Sequence, residues 1–276
     1  MVRFVQTNPM TSAVSSRPLT GKTLTAWALA PAAVLAALAL SVTDDANNVA
    51  LFIDWNGAAA SLPRAFWAGL TNVGATTGAF ALLAGLLAWF PRWGAAAVLA
   101  APLATILTHG LKEFYAHPRP PAVLAPEQIH IIGDALRTSS FPSGHALTAF
   151  VVAAVVVFGG TLQRRPQLAW LVLLAAALVA FSRVAVGAHW PQDIFAGAAA
   201  GWLCGAFGAW WSARWRFWER ERGVRVLAVL LGLVSLSLYF ENLGYPEGEW
   251  AQYALATLGV AGAAVAMRTG TNWSRS

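Results

Sequence analysis

The sequence predicts an all-α integral membrane protein. Hydrophobic residues make up 58% of the 276 positions, charged residues only 11%, and long apolar runs recur along most of the chain. A soluble domain of this size would carry about 25% charged residues. An apolar run of about 20 residues is what a helix needs to cross a bilayer. The formal net charge of +6 does not point to nucleic acid, because the arginines stand in short loops between apolar runs and not on one polar face. Cys204 is the single cysteine and lies inside an apolar run, so neither an intrachain disulfide nor a thiolate metal site is expected.

In chain order, residues 1–23 are polar and Ser/Thr-rich and read as a flexible cytoplasmic tail. Spans are predicted near 24–42, 65–90, 93–111, 144–160, 167–187, 191–212, 224–240 and 250–267. The first follows Arg17 and Lys22, as a signal peptide would, but its run is long for that, so an uncleaved anchor is expected. Gly74 and Gly78 on the second span, and Gly197, Gly201 and Gly205 on the sixth, recur every four residues. Small residues at that spacing let helices approach closely. Trp210, Trp211, Trp215 and Trp218 resemble an aromatic belt at the membrane interface.

Eight spans put both termini on one side. Of the 18 basic residues, thirteen fall on that side, leaving Arg64, Lys112, Arg119, Arg137 and Arg183 on the other. Loops rich in Lys and Arg stay in the cytoplasm, so both termini are expected there. Three segments then share the outer face: Lys112–Pro120, Pro142–His145 and Ser182–Asp193.

Their chemistry is that of a phosphate site. Lys112 and Arg119 flank His117 and precede a rigid proline stretch, which suits an anion clamp. Arginine forks onto two phosphate oxygens, and lysine acts as a point charge. In Pro142–His145 (PSGH), Ser143 is a good N-cap for the fourth span, and Gly144 leaves backbone N–H groups uncovered for an anion. His145, at the mouth of an apolar helix, can protonate a departing oxygen. The third segment adds Arg183, a turn at Gly187, and Pro191 in the first turn of the sixth span. His189 and Asp193 are four residues apart, so one helical turn can bring the carboxylate to one ring nitrogen and leave the other free to attack phosphorus.

The pattern K-x6-RP, PSGH and SR-x5-H-x3-D resembles the signature of the type 2 phosphatidic acid phosphatase (PAP2) superfamily. Lys112, Arg119, Pro120, Pro142, Ser143, Gly144, His145, Ser182, Arg183, His189 and Asp193 fill every position of it. The resemblance covers about residues 65–212. It implies a six-helix membrane core and phosphoester hydrolysis without a metal or other cofactor. It implies His189 as nucleophile, Asp193 as its orienting partner and His145 as acid for the leaving group. It also implies Lys112, Arg119, Ser143, Gly144 and Arg183 as phosphate ligands. The expected organisation is a tail at 1–23, a PAP2-like core at 24–212, and a basic loop with two extra C-terminal transmembrane helices at 213–276.

A site at the outer membrane–water boundary suits a phospholipid or polyprenyl lipid. By the resemblance, the candidates are polyprenyl diphosphate, phosphatidylglycerol phosphate, phosphatidate and lipid A, in a bacterial inner membrane. The loop 121–141, with Gln128, His130, Asp134 and Arg137, is the expected place for headgroup selection. The competing reading is a phosphotransferase that hands the phosphoryl group to a lipid acceptor. A lipid-binding or transport protein with a dead site is disfavoured by the filled signature, and a soluble vanadate haloperoxidase by the spans. The two C-terminal spans would extend a lipid groove, hold a partner, or pad the fold.

Overall fold

A computed structural model describes residues 21–162 and 165–269. The expected tail at 1–23 therefore lies almost wholly outside the described residues. The chain forms α1 (Gly21–Ser41), α2 (Asp45–Ala59), α3 (Arg64–Gly74), α4 (Thr76–Gly85) and α5 (Pro91–Tyr115). There follow the short α6 (Pro120–Val123), then α7 (Gly144–Val156), α8 (Pro166–Ala185), α9 (Pro191–Arg214), α10 (Glu221–Ser237) and α11 (Glu249–Thr269). Prolines stand in the first turns of α5, α8 and α9, where no intrahelical N–H is needed.

Six helical segments among the described residues are long and apolar enough to cross a membrane: Gly21–Ser41, Pro91–Val123, Gly144–Thr161, Pro166–Ala185, Pro191–Arg214 and Pro246–Thr269. The other two expected spans are shorter as helices. The seventh is α10, with 17 residues. The second is broken: Ala75 adopts extended backbone (ψ 144°) between α3 and α4. A Cβ at Gly78 would collide with the carbonyl oxygen of Asn72, so glycine is needed at this break, and Leu255 of α11 packs beside it. Broken helices are tolerated at membrane depth where protein covers the freed backbone. Here the break leaves Thr71 and Asn72 fully buried.

The centre of the bundle is α9 against α7. Cβ atoms at Gly197, Gly201 and Gly205 would each strike a backbone carbonyl of α7, from Ser143, Leu147 and Val151 in turn. The glycine stripe thus sets a backbone-to-backbone approach, the packing that drives helix association in lipid. On another face of α9, Gly208 meets Ala96 of α5 in the same way. Trp202, fully buried, donates its indole N–H to the carbonyls of Trp27 and Ala28 at 3.1 Å each, tying α1 to the core. Cys204 is buried.

The helix α2 was not foreseen. Asn48, Phe52 and Asn56 follow one another at four-residue spacing, and all three are buried. Asn56 donates to the carbonyls of His130, Val184 and Ala185, and its own carbonyl oxygen accepts the His130 N–H at 2.7 Å. Asn48 accepts the Gln192 N–H, and Phe52 packs edge-on against Trp190, with centroids 5.2 Å apart. One face of α2 therefore ties the loop that follows α6 to the connection between α8 and α9.

Candidate active site

The three signature segments meet at one end of the bundle. Lys112 stands on the last turn of α5, Arg119 just before α6, PSGH at the start of α7, and His189 between α8 and α9. The α8–α9 turn is tight. Val186, Gly187 and Ala188 N–H groups donate back to Ser182, Val184 and Arg183. Gly187 has φ +77°, and a Cβ there would come within 2.8 Å of the His130 carbonyl oxygen. Only glycine fits both demands.

His189 is held from both sides. Its Nε2 lies 3.1 Å from Nη1 of Arg119. Guanidinium nitrogens only donate, so Nε2 must present its lone pair and Nδ1 carries the proton. Nδ1 faces Oδ2 of Asp193 at 3.4 Å. Asp193 sits inside α9 and His189 before its first residue, so the pair spans the helix start and not one turn of helix. The same Oδ2 accepts from the Trp190 N–H at 2.9 Å and from the Ser140 hydroxyl at 2.5 Å. Burial, then the positive charges of Arg119, Arg183 and Lys112, then His145 hold the His189 pKa well below its usual value. The ring is therefore neutral at neutral pH, with its lone pair at Nε2.

The two buried arginines are oriented by neutral acceptors. Arg119 donates through Nε to Thr138 (2.6 Å), through Nη1 to Ala188 (3.0 Å) and through Nη2 to Ser139 (3.2 Å), all backbone carbonyls. Arg183, 1% exposed, donates through Nη1 to the hydroxyl oxygens of Thr71 (2.6 Å) and Tyr245 (2.8 Å). Neutral acceptors fix direction without cancelling charge, which leaves both cations available to an anion. The ammonium of the half-buried Lys112 makes no hydrogen bond with the described residues.

Ser143 caps α7: its Oγ accepts the Ala146 N–H at 3.4 Å, and its own N–H donates to the Asp193 carbonyl at 3.0 Å. The N–H groups of Gly144 and His145 donate to no described residue and form the open end of the helix. Half-buried His145 lies against Gly74 of α3. Ser182 is buried and bonds back to the Val179 carbonyl at 2.6 Å, a structural place.

Every residue expected at the site is thus at this end of the bundle. Three that were not expected join them: Ser140, Thr71 and Tyr245. Ser140 lies three residues before Ser143, outside the signature, and a buried serine facing a carboxylate leaves no pattern in a sequence. Of the other histidines, His117 buries an Nδ1 with no partner among the described residues. Loop 121–141 is pinned by Arg137 to the Pro121 carbonyl at 2.7 Å and by Asn56 to His130.

Comparison with known proteins places this geometry. The PAP2 superfamily model matches residues 93–218. An undecaprenyl-diphosphatase of Sulfolobus acidocaldarius is 39% identical over 69 residues, 25% of this chain and 29% of the relative. A lipid A 1-phosphatase of Porphyromonas gingivalis is 35% identical over 79 residues, 28% of this chain and 17% of the relative. The matched stretches thus span less than a third of either relative. The crystal structure of Aquifex aeolicus LpxE is similar over 60% of this chain and 97% of that one, with 31% identity and a TM-score of 0.53. A PAP2-type phosphatidylglycerolphosphate phosphatase from Bacillus subtilis shares the fold over 68% of this chain and 97% of its own, at 20% identity and a TM-score of 0.50. With the signature filled and nearly all of one such structure covered, this integral membrane protein belongs to the PAP2 superfamily.

Proposed function

We propose that this protein is a membrane lipid phosphatase that hydrolyses a phosphate or diphosphate monoester through a phosphohistidine, without a metal. The observation that carries the reading is the contact of Arg119 Nη1 with His189 Nε2 at 3.1 Å. It puts the Nε2 lone pair of the histidine beside the cation that would hold the phosphate.

In the first step the Nε2 lone pair attacks phosphorus in line. The bond from phosphorus to the lipid oxygen breaks as His145 gives that oxygen a proton. Lys112, Arg119, Arg183 and the N–H groups of Gly144 and His145 face the anion, with the Ser143 hydroxyl beside them. Phosphoryl transfer depends mainly on positioning and on charge stabilisation of this kind. In the second step His145 takes a proton from water. The resulting hydroxide attacks phosphorus, the P–N bond breaks, and inorganic phosphate leaves with His189 neutral again. Asp193 holds the Nδ1 proton throughout.

The lipid portion has a place to lie. A cavity of about 550 Å³ beside the site is lined mostly by apolar side chains, among them Ala36, Leu40, Phe141 and Ala199, with Thr43, Tyr115, His117 and Gln192 as its polar residues. A groove of that composition suits an aliphatic chain with its headgroup turned to the histidines. The names of the relatives add polyprenyl diphosphate, lipid A and phosphatidylglycerol phosphate to phosphatidate as lipids to try. The charge pattern supports an outward-facing site with cytoplasmic termini.

The test is inorganic phosphate release by detergent-purified protein in EDTA, across those four lipids, with His189→Ala as control. Release from one lipid, abolished in the variant, is the expected result. Release that requires added metal, or that survives His189→Ala, overturns the scheme. No phosphate release, with phosphorylation of a second lipid added as acceptor, identifies a phosphotransferase instead.

A further inference from the structure

The family match ends at residue 218, and Tyr245 lies beyond it, between α10 and α11. Its side chain nevertheless reaches the phosphate site. The hydroxyl oxygen is 2.8 Å from Arg183 Nη1, and the guanidinium carbon stands 5.3 Å from the centre of the ring. Tyr245 is 5% exposed. The hydroxyl accepts this bond, and its own proton reaches no acceptor among the described residues.

The segment that carries Tyr245 is itself locked to the outer face. The Gly244 carbonyl accepts the Asp134 N–H at 2.9 Å, and the Gly248 carbonyl accepts from Asn72 at 3.0 Å. Glu247 accepts from Arg64 at 2.8 Å. Glycine at 133 is required because a Cβ there would strike the Gly244 carbonyl oxygen and the Tyr245 ring. This connection is therefore built against the site, not left as a linker.

We propose that Tyr245 is a positioning residue of the phosphate site, so that the C-terminal helix pair completes the enzyme. With Thr71, it holds Nη1 of Arg183 from one side. Arg183 Nε, which is buried, has no partner among the described residues, and that edge of the guanidinium is left for the phosphate. A phenol suits the task because it accepts a hydrogen bond without bringing negative charge. A carboxylate in its place would neutralise the cation and repel the substrate. Without the hydroxyl, a long side chain would sample several rotamers and meet the phosphate less often. The proposal rests on Arg183 as a phosphate ligand.

The test is a four-variant cycle: wild type, Tyr245→Phe, Arg183→Gln and the double variant. Each is measured for inorganic phosphate binding by calorimetry, and for kcat/KM where activity remains, well below its own melting temperature. Phenylalanine keeps the ring beneath the guanidinium, so the fold is expected to hold. The expected result is about tenfold weaker phosphate binding and about tenfold lower kcat/KM in Tyr245→Phe, from one lost bond to a charged group. In the Arg183→Gln background the same change should cost nothing further. Wild-type phosphate binding by Tyr245→Phe overturns the proposal. So does an equal loss with and without Arg183, which would mark a packing role only. If Arg183→Gln alone binds phosphate as wild type does, Arg183 is not a ligand, and the proposal falls with that assignment.

Discussion

The hydroxyl of Ser140 lies 2.5 Å from Oδ2 of Asp193, closer than Nδ1 of His189, which stands 3.4 Å from the same oxygen. The carboxylate that orients the histidine is thus itself oriented by a serine and by the Trp190 N–H. Ser140→Ala should lower kcat about 10- to 100-fold, the worth of a hydrogen bond to a buried charge. KM should change little, because the residues proposed to bind phosphate stay in place. A kinetic comparison at one pH checks this, and an unchanged kcat would remove Ser140 from the site.

Arg119→Lys should be severe despite keeping the charge. The guanidinium satisfies the carbonyls of Thr138, Ser139 and Ala188 while also meeting His189. An ammonium has three donors from one point and cannot reproduce that fan. Each buried carbonyl left bare costs about 1–3 kcal/mol. The expected outcome is a fall in kcat/KM of at least about a hundredfold together with a lower melting temperature. Lysine at wild-type kcat/KM would show that charge alone matters there.

The position of His189 in the site sets a pH signature. Its folded pKa lies well below the usual 6.5, with burial as the first cause and nearby cations as the second. As pH falls below 6.5, the unfolded chain takes up a proton on this ring before the folded one does. Its contribution to stability is therefore full above pH 6.5 and is lost as pH drops toward the folded pKa. Melting temperature should fall on acidification more steeply in wild type than in His189→Gln. Equal slopes in the two proteins would show that folding does not lower the pKa of this ring.

Glycine positions in the membrane helices should differ sharply in tolerance. A Cβ at Gly201 meets the backbone of Leu147 on α7, which cannot yield without moving a helix, whereas one at Gly110 on α5 meets nothing within 4 Å. Gly201→Ala should lower the melting temperature by several degrees. Gly110→Ala should be neutral or gain about 0.5–1 kcal/mol from helix propensity. Thermal denaturation of both variants in detergent checks the contrast. A wild-type melting temperature for Gly201→Ala would show that α7 and α9 are not in backbone contact.

Much of the architecture was legible because membranes constrain sequence heavily. Long apolar runs had to be helices, and most expected spans agree with the observed ones to within a few residues. The break at Ala75 was not legible. Residues 65–90 read as one apolar run, and beside the break stands a long-range contact with no local signal, Asn72 bonded to the Gly248 carbonyl. The helix α2 was missed for a different reason. Its run is too polar for a span, yet the spacing of Asn48, Phe52 and Asn56 was a helical stripe in plain view.

Legible in the sequence were the membrane class, the cations and histidines proposed for the site, and the glycine stripe of α9, though not that α7 is what packs on it. Each of these is written in local spacing, because helix period, turn chemistry and apolar run length act over a few residues. Only the tertiary structure decided what holds those groups in place. Ser140 meets Asp193 across 53 positions, Arg183 meets Tyr245 across 62, and Asn56 reaches Val184 across 128. Hydrogen bonds between such distant residues carry no periodicity. They exist because a buried charge or carbonyl must find a partner once helices have packed around it, and packing alone determines which partner is near.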